Sequence, residues 1–130
     1  MASIFTKIVN GEIPSYKIAE DDNYFAFLDV FPLVKGHTLV IPKKEIDYIF
    51  DVDDDMLAGM MVFAKNVAKA IGAAIDCKRV GMTVIGLEVP HAHIHLIPMN
   101  VEKDISFTNP KLKLSQEEFN QIVSQIREKL

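Results

Sequence analysis

Residues 89–98 read VPHAHIHLIP, with His91, His93 and His95 at alternate positions between two prolines. Successive side chains of an extended chain point to opposite faces. On a strand the three imidazoles therefore share one side, and Ala92, Ile94 and Leu96 share the other. The apolar side belongs to a core, so the imidazole side looks into a cleft. The chain has only four histidines and three are here. Histidine titrates near neutral pH, so clustering it is electrostatically costly unless chemistry uses it.

Three chemistries fit such a row. The plainest is a polar strand face that happens to hold histidines. The second is a metal site, because His-x-His pairs often share a zinc ion. Alternate residues on a strand advance by ~6.6 Å, so the outer imidazoles start ~13 Å apart and converge poorly on one ion. The third is nucleophilic catalysis. A neutral imidazole attacks phosphorus and forms a phospho-histidine that water then cleaves. The middle histidine attacks, while its neighbours fix its tautomer, bind phosphoryl oxygens or assist the leaving group. One nucleophile flanked by donors suits the spacing better than three equal ligands.

The chain that must carry this row has 130 residues. That length fits one domain, residues 1–130, able to bury a core without disulfides. Cys77 is the single cysteine, which excludes an internal bridge and favours a reducing, cytoplasmic setting. The N-terminus lacks the basic head and apolar run of a signal peptide. The apolar run MLAGMMVFA ends at Lys65 and is too short to span a bilayer, so no membrane is expected. Net charge is −4, and the basic residues form only short pairs such as Lys43–Lys44. No basic stripe for nucleic acid is present.

Several elements can be read around the row. Tyr16–Glu20 and Tyr24–Leu28 form a hairpin across Asp21-Asp22-Asn23. His37–Pro42 is a third strand, MTVIG (82–86) a fourth and HAHIHLI (91–97) a fifth. Leu57, Met60, Met61, Ala64, Val67, Ala68, Ile71 and Ile75 recur at helical spacing behind Asp53, a plausible N-cap. A last helix covers about 115–130, with Ser115 and Glu118 as a capping box. Phe119, Ile122, Val123, Ile126 and Leu130 form its apolar stripe. The pattern is α+β, an antiparallel sheet with helices on one face.

The motif HAHIHLI resembles the signature of the histidine triad (HIT) family. IFTKIVNGEIPSYKIAEDDNYFAFLDV and KGHTLVIPKK are similar to its N-terminal region in order and spacing. The final helix is similar to that of bacterial members. The resemblance implies a HIT-like fold, a five-stranded antiparallel sheet with a long central helix and a C-terminal helix. It implies a homodimer whose sheets join into one ten-stranded sheet. It also implies a purine nucleotide substrate and transfer of its nucleoside monophosphate to His93. His95 would contact the phosphate and leaving-group side, His91 would orient the cluster, and His37 matches a fourth family histidine. Asp29 matches the acceptor of the ribose hydroxyls, and a carboxylate suits it because it only accepts. A turn former before Pro32 is the competing reading of Asp29. Phe5, Phe27 and Val30 match positions enclosing the base, with core packing as the alternative for each. No cofactor is implied. The linkage cleaved would be a phosphoramidate or a dinucleoside polyphosphate.

Two departures stand out. The phosphate loop before the triad, TVIGLEVPHAH, is shorter than the family pattern. Gly86 remains, but Ile85, Leu87 and Glu88 stand where asparagine, glutamine and serine are common. A lost transition-state donor can cost ~10²–10³ in rate. This opens an alternative, a nucleotide-binding or scaffold protein with little turnover. Some bacterial members also hold zinc with an N-terminal Cys-x-x-Cys and a histidine after Pro-Lys. Here those places hold Ser3, Thr6 and Glu45, so no structural zinc is expected.

Overall fold

The computed structural model describes residues 2–130. It contains helix α1 (Ile4–Val9), strands β1 (Lys17–Glu20), β2 (Tyr24–Leu28) and β3 (Thr38–Pro42), and helix α2 (Asp54–Ala74). Strands β4 (Arg79–Thr83) and β5 (Ile94–Met99) and helix α3 (Gln116–Arg127) follow. Short 3₁₀ turns lie at Ile49–Asp51 and Glu102–Ile105. The five strands form one antiparallel sheet in the order β1-β2-β3-β5-β4. Strand β5 enters between β3 and β4, which brings the triad to the middle of the sheet beside β3.

Each helix starts where its local chemistry dictates. Asp53 Oδ1 accepts from Met56 N at 2.9 Å, capping α2. Ser115 and Glu118 close a reciprocal capping box at α3, as the sequence leads one to expect. Helix α2 buries Met60, Ala64, Val67, Ala70 and Ile71 against Ile18, Ala26, Leu28, Val40, Ile94 and Leu96 of the sheet. Phe119, Ile122 and Ile126 of α3 complete that core. A fully buried Ile or Met contributes about 1.5–3 kcal/mol, so this layer accounts for much of the fold's stability. Tyr16 stacks on Phe119, with ring centroids 4.5 Å apart, and ties α3 to the start of β1.

The other sheet face carries Phe25, Phe27, Leu39 and Ile41, covered by Phe5 of α1. Helices therefore pack on both faces, not on one. The N-terminal residues reveal α1 only in retrospect, since Ser3 caps it and Gly11 follows it with φ +78°. Other boundaries shift too. The fourth strand is Arg79–Thr83, not 82–86, because Thr83 is the last residue paired with β5 and Val84 onward leaves the sheet. Strand β5 begins at Ile94, so His91 and His93 precede the ladder and are held by other bonds. Met61 and Leu130 point to solvent rather than joining their stripes. Helix α2 does have the length and composition of a membrane span. Its buried side chains pack on the sheet, as in a core helix.

Candidate active site

His95 is the one triad residue within the ladder. It pairs with Leu39 on β3 and Thr83 on β4, and so lies on the phenylalanine face. His91 and His93 continue the row. Ala92 N donates to Ile46 O at 2.6 Å, fastening the segment to the loop after β3. His37 enters from the start of β3. Gly36 precedes it with φ +93°, a conformation open to glycine, and an added Cβ would lie 3.1 Å from Ile75 and 3.2 Å from Pro98. All four histidines are at most 6% exposed. Ring centroids are 5.0 Å apart for His93 and His95, and 5.2 Å for His37 and His95. The fold thus gathers every histidine of the chain.

Backbone partners decide each tautomer. A carbonyl only accepts, so His93 Nδ1 donates to His91 O at 2.7 Å, and in the neutral ring Nε2 keeps its lone pair. By the same logic His91 Nε2 donates to Pro42 O at 2.8 Å, which leaves Nδ1 to accept from Ser3 Oγ at 2.8 Å. Leu33 N donates to His37 Nδ1 at 3.1 Å, so the proton of His37 is on Nε2. That proton goes to His95 Nδ1 at 2.9 Å, and His95 carries its own on Nε2. The bare Nε2 of His93 and the N–H of His95 have no protein partner among the described residues. No buried side-chain nitrogen or oxygen lacks one among those residues, so both atoms open to solvent. A lone pair and a donor thus stand side by side at the surface of an otherwise closed cluster.

Burial keeps the supporting histidines neutral. It lowers His37 to about 4, with Lys111 and His93 adding to the effect. It lowers His95 to about 3, with His37 and His93 also disfavouring its charge. His91 is lowered for the same reason, against the opposing pull of Pro42 O and Glu45. Asp29, His37 and His95 place three ligand atoms within 4.8 Å of one another. A cation there would need His37 Nε2 deprotonated and its bond to His95 broken. The set is built as a donor–acceptor chain rather than as converging lone pairs.

The remaining sequence-named residues surround this cluster. Asp29 Oδ1 accepts from Phe31 N at 2.8 Å, so it does form the turn before Pro32. Its Oδ2 lies 3.6 Å from His37 Nε2 and remains a free acceptor. Phe5 packs edge-on against His93, at 5.1 Å between centroids, and against Phe27 at 5.4 Å. Phe27 is buried in the core behind it. Val30 is half exposed beside Asp29. Gly86 adopts φ +74° in the loop before the triad, where an added Cβ would touch nothing, so its glycine character serves the backbone turn. Leu87 is 88% exposed on the same loop.

Two contributors escape a sequence reading. Phe107 lies 4.8 Å from His95, ring to ring, closing the cluster from the C-terminal side. Lys111 sits over that ring at 5.3 Å and donates to Phe107 O. No spacing rule links residue 107 to residue 95. Only the return of the chain past β5 does.

The family model described as HIT domain matches residues 10–101, which include His37 and the whole triad. An uncharacterized HIT-like protein of Borreliella burgdorferi is 37% identical, over 95% of this chain and 94% of its own length. An adenosine 5′-monophosphoramidase of Schizosaccharomyces pombe is 36% identical, over 100% of this chain and 99% of its own. The crystal structure of a HIT-like protein involved in cell-cycle regulation from Bartonella henselae matches with a TM-score of 0.86 at 31% identity. That match covers 98% of this chain and 96% of the other. Sequence match, five-stranded sheet and histidine cluster agree, and the chain belongs to the HIT family.

Proposed function

We propose that this protein hydrolyses nucleoside 5′-phosphate linkages, phosphoramidates first, through a nucleotidyl-His93 intermediate. The reading rests on the bond from His93 Nδ1 to His91 O, which in the neutral ring directs the proton to Nδ1 and leaves Nε2 open beside the N–H of His95. The name of the S. pombe relative, which spans the same length, supports the phosphoramidate class.

His93 Nε2 attacks the phosphorus. A bond forms from nitrogen to phosphorus, and the bond to the leaving amine breaks with its electron pair going to that amine. His91 O steadies the positive charge that develops on the ring through Nδ1–H. His95 Nε2–H donates to the phosphoryl or leaving-group side. Water then bonds to phosphorus and the pair returns to Nε2. The proton water loses balances the one the amine gains. In this reading the base rests on Phe5 with Phe27 behind it and Val30 at the edge. Asp29 Oδ2 accepts from the ribose, and Gly86 lets the loop turn near the phosphate. The nucleotide is a purine, and the cytoplasmic setting fits the lone Cys77.

The test is release of amine from adenosine 5′-phosphoramidate by the native protein and by His93→Ala. The expected result is turnover that drops at least ~10³-fold in the variant. Adenosine monophosphate binding without any native turnover would instead mark a binding protein. That reading draws on the exposed loop in which Leu87 and Glu88 replace polar donors.

A further inference from the structure

A second set of hydrogen bonds stands behind the nucleophile. Ser3 Oγ caps α1 by accepting from Thr6 N at 3.0 Å and donates to His91 Nδ1 at 2.8 Å. Thr6 Oγ1 donates to Glu45 Oε1 at 2.6 Å, and Ser3 N donates to the same oxygen. Glu45 lies in the loop after β3. It therefore pins the first turn of α1 to the strand that supplies Pro42 O. Ser3 and His91 are buried, while Glu45 is exposed.

The ring of His91 is thus gripped at both nitrogens, by Ser3 on one side and Pro42 O on the other. This matters because its backbone oxygen is the acceptor for His93 Nδ1. The segment lies ahead of the β5 ladder. Besides the ring's bonds to Ser3 and Pro42 and a longer contact of Nδ1 with Thr6 Oγ1 at 3.4 Å, it has Ala92 N to Ile46 O and His91 N to Val89 O. If His91 held its proton on Nδ1, Nε2 would lose its donation to Pro42 O, and Ser3 Oγ would have to accept from the ring rather than donate to it. The carbonyl that fixes the nucleophile would then be freer to move. Phe5 sits between Ser3 and Thr6 and packs on both His91 and His93, so one short helix steadies the two rings together.

We infer that Ser3, Thr6 and Glu45 are positioning residues that hold the proton of His93 on Nδ1 by fixing His91. The inference rests on His93 being the nucleophile proposed above. It gives α1 a part in positioning the nucleophile, beyond covering the phenylalanine face and carrying Phe5.

The experiment is nitrogen-15 NMR of the histidine rings, without substrate, in native protein, Ser3→Ala, Glu45→Ala and Glu45→Gln, alongside phosphoramidase kinetics. Native His93 should show one tautomer, protonated on Nδ1. Ser3→Ala and Glu45→Ala should show a mixture and lose about tenfold in kcat, with KM changing less than kcat. Glu45→Gln still offers an oxygen to Ser3 and Thr6, and should recover both readouts. Ser3→Ala and Glu45→Gln carry the test if Glu45→Ala does not fold. A lower melting temperature with the tautomer unmoved would make the network a plain helix cap and overturn the inference. So would a kcat loss with no tautomer change, or a tautomer change with native kcat. If the native protein turns over no nucleotide, the proposed reaction fails, and the tautomer result alone decides what the network does.

Discussion

His37, His91 and His95 are held neutral by burial, and this leaves a mark on stability. Free histidine titrates near 6.5, whereas His37 is lowered to about 4 and His95 to about 3. Between those values and 6.5 the unfolded chain binds protons that the native chain does not. Stability therefore rises with pH across that window and is lost as pH falls from about 6.5 toward 4. Each such histidine contributes a slope of about 1.4 kcal/mol per pH unit. Glu20 and Glu45, both lowered to about 2 by their donors, act in the opposite protonation state and lose their contribution only below about 4.5. The interval between pH 5 and 6.5 thus belongs mainly to the histidines. Urea unfolding at pH 7, 6 and 5 should show falling stability, with a shallower slope in His95→Gln. An equal slope in both proteins would contradict the neutral assignment. The sequence shows the alternating row but not this neutrality, which comes from the burial of the rings once the chain has folded.

At the scale of elements, α2 shows how packing overrides propensity. Gly59 sits inside the helix, where glycine costs about 1 kcal/mol relative to alanine. A Cβ there would lie 2.1 Å from the hydroxyl of Tyr24. Its absence lets that hydroxyl donate to Met56 O at 2.8 Å and join β2 to the helix. Gly59→Ala should gain helix propensity yet lose about 1–3 kcal/mol of stability from overpacking and the broken bond. Chemical denaturation measures that loss. Catalysis should stay near native, because α2 and the histidines lie on opposite sheet faces. The long helices were legible because their apolar spacing is regular and their caps local. Helix α1 was not, at six residues and with one buried side chain.

For the whole molecule, β4 is an edge strand, and Met82 on it is exposed along with Met61 and Val62 of α2. An unpaired edge with apolar side chains invites a partner strand. The resemblance implies a homodimer with one continuous sheet, and we propose that two copies would join at the β4 edge. Sedimentation equilibrium should find a dimer, and Met82→Lys should shift it toward monomer. A native monomer, or a variant that stays dimeric, would move the interface elsewhere.

Residue spacing alone specifies the triad, the alternation that separates its imidazoles from Ala92, Ile94 and Leu96, and the two long helices. These are local features, set by periodicity and by capping residues within four positions. The sequence also singled out His37, Asp29, Ser3, Thr6 and Glu45, though only through resemblance to a family pattern. The remaining features come from the closed fold. It placed β5 between β3 and β4, joined His37 to His95 across 58 residues, and linked Ser3 to His91 across 88. It also fixed every tautomer, since a ring proton follows whichever backbone group the fold brings to it. The physical reason is range: spacing encodes which face a side chain takes, while hydrogen-bond partners distant in sequence exist only after the chain has closed.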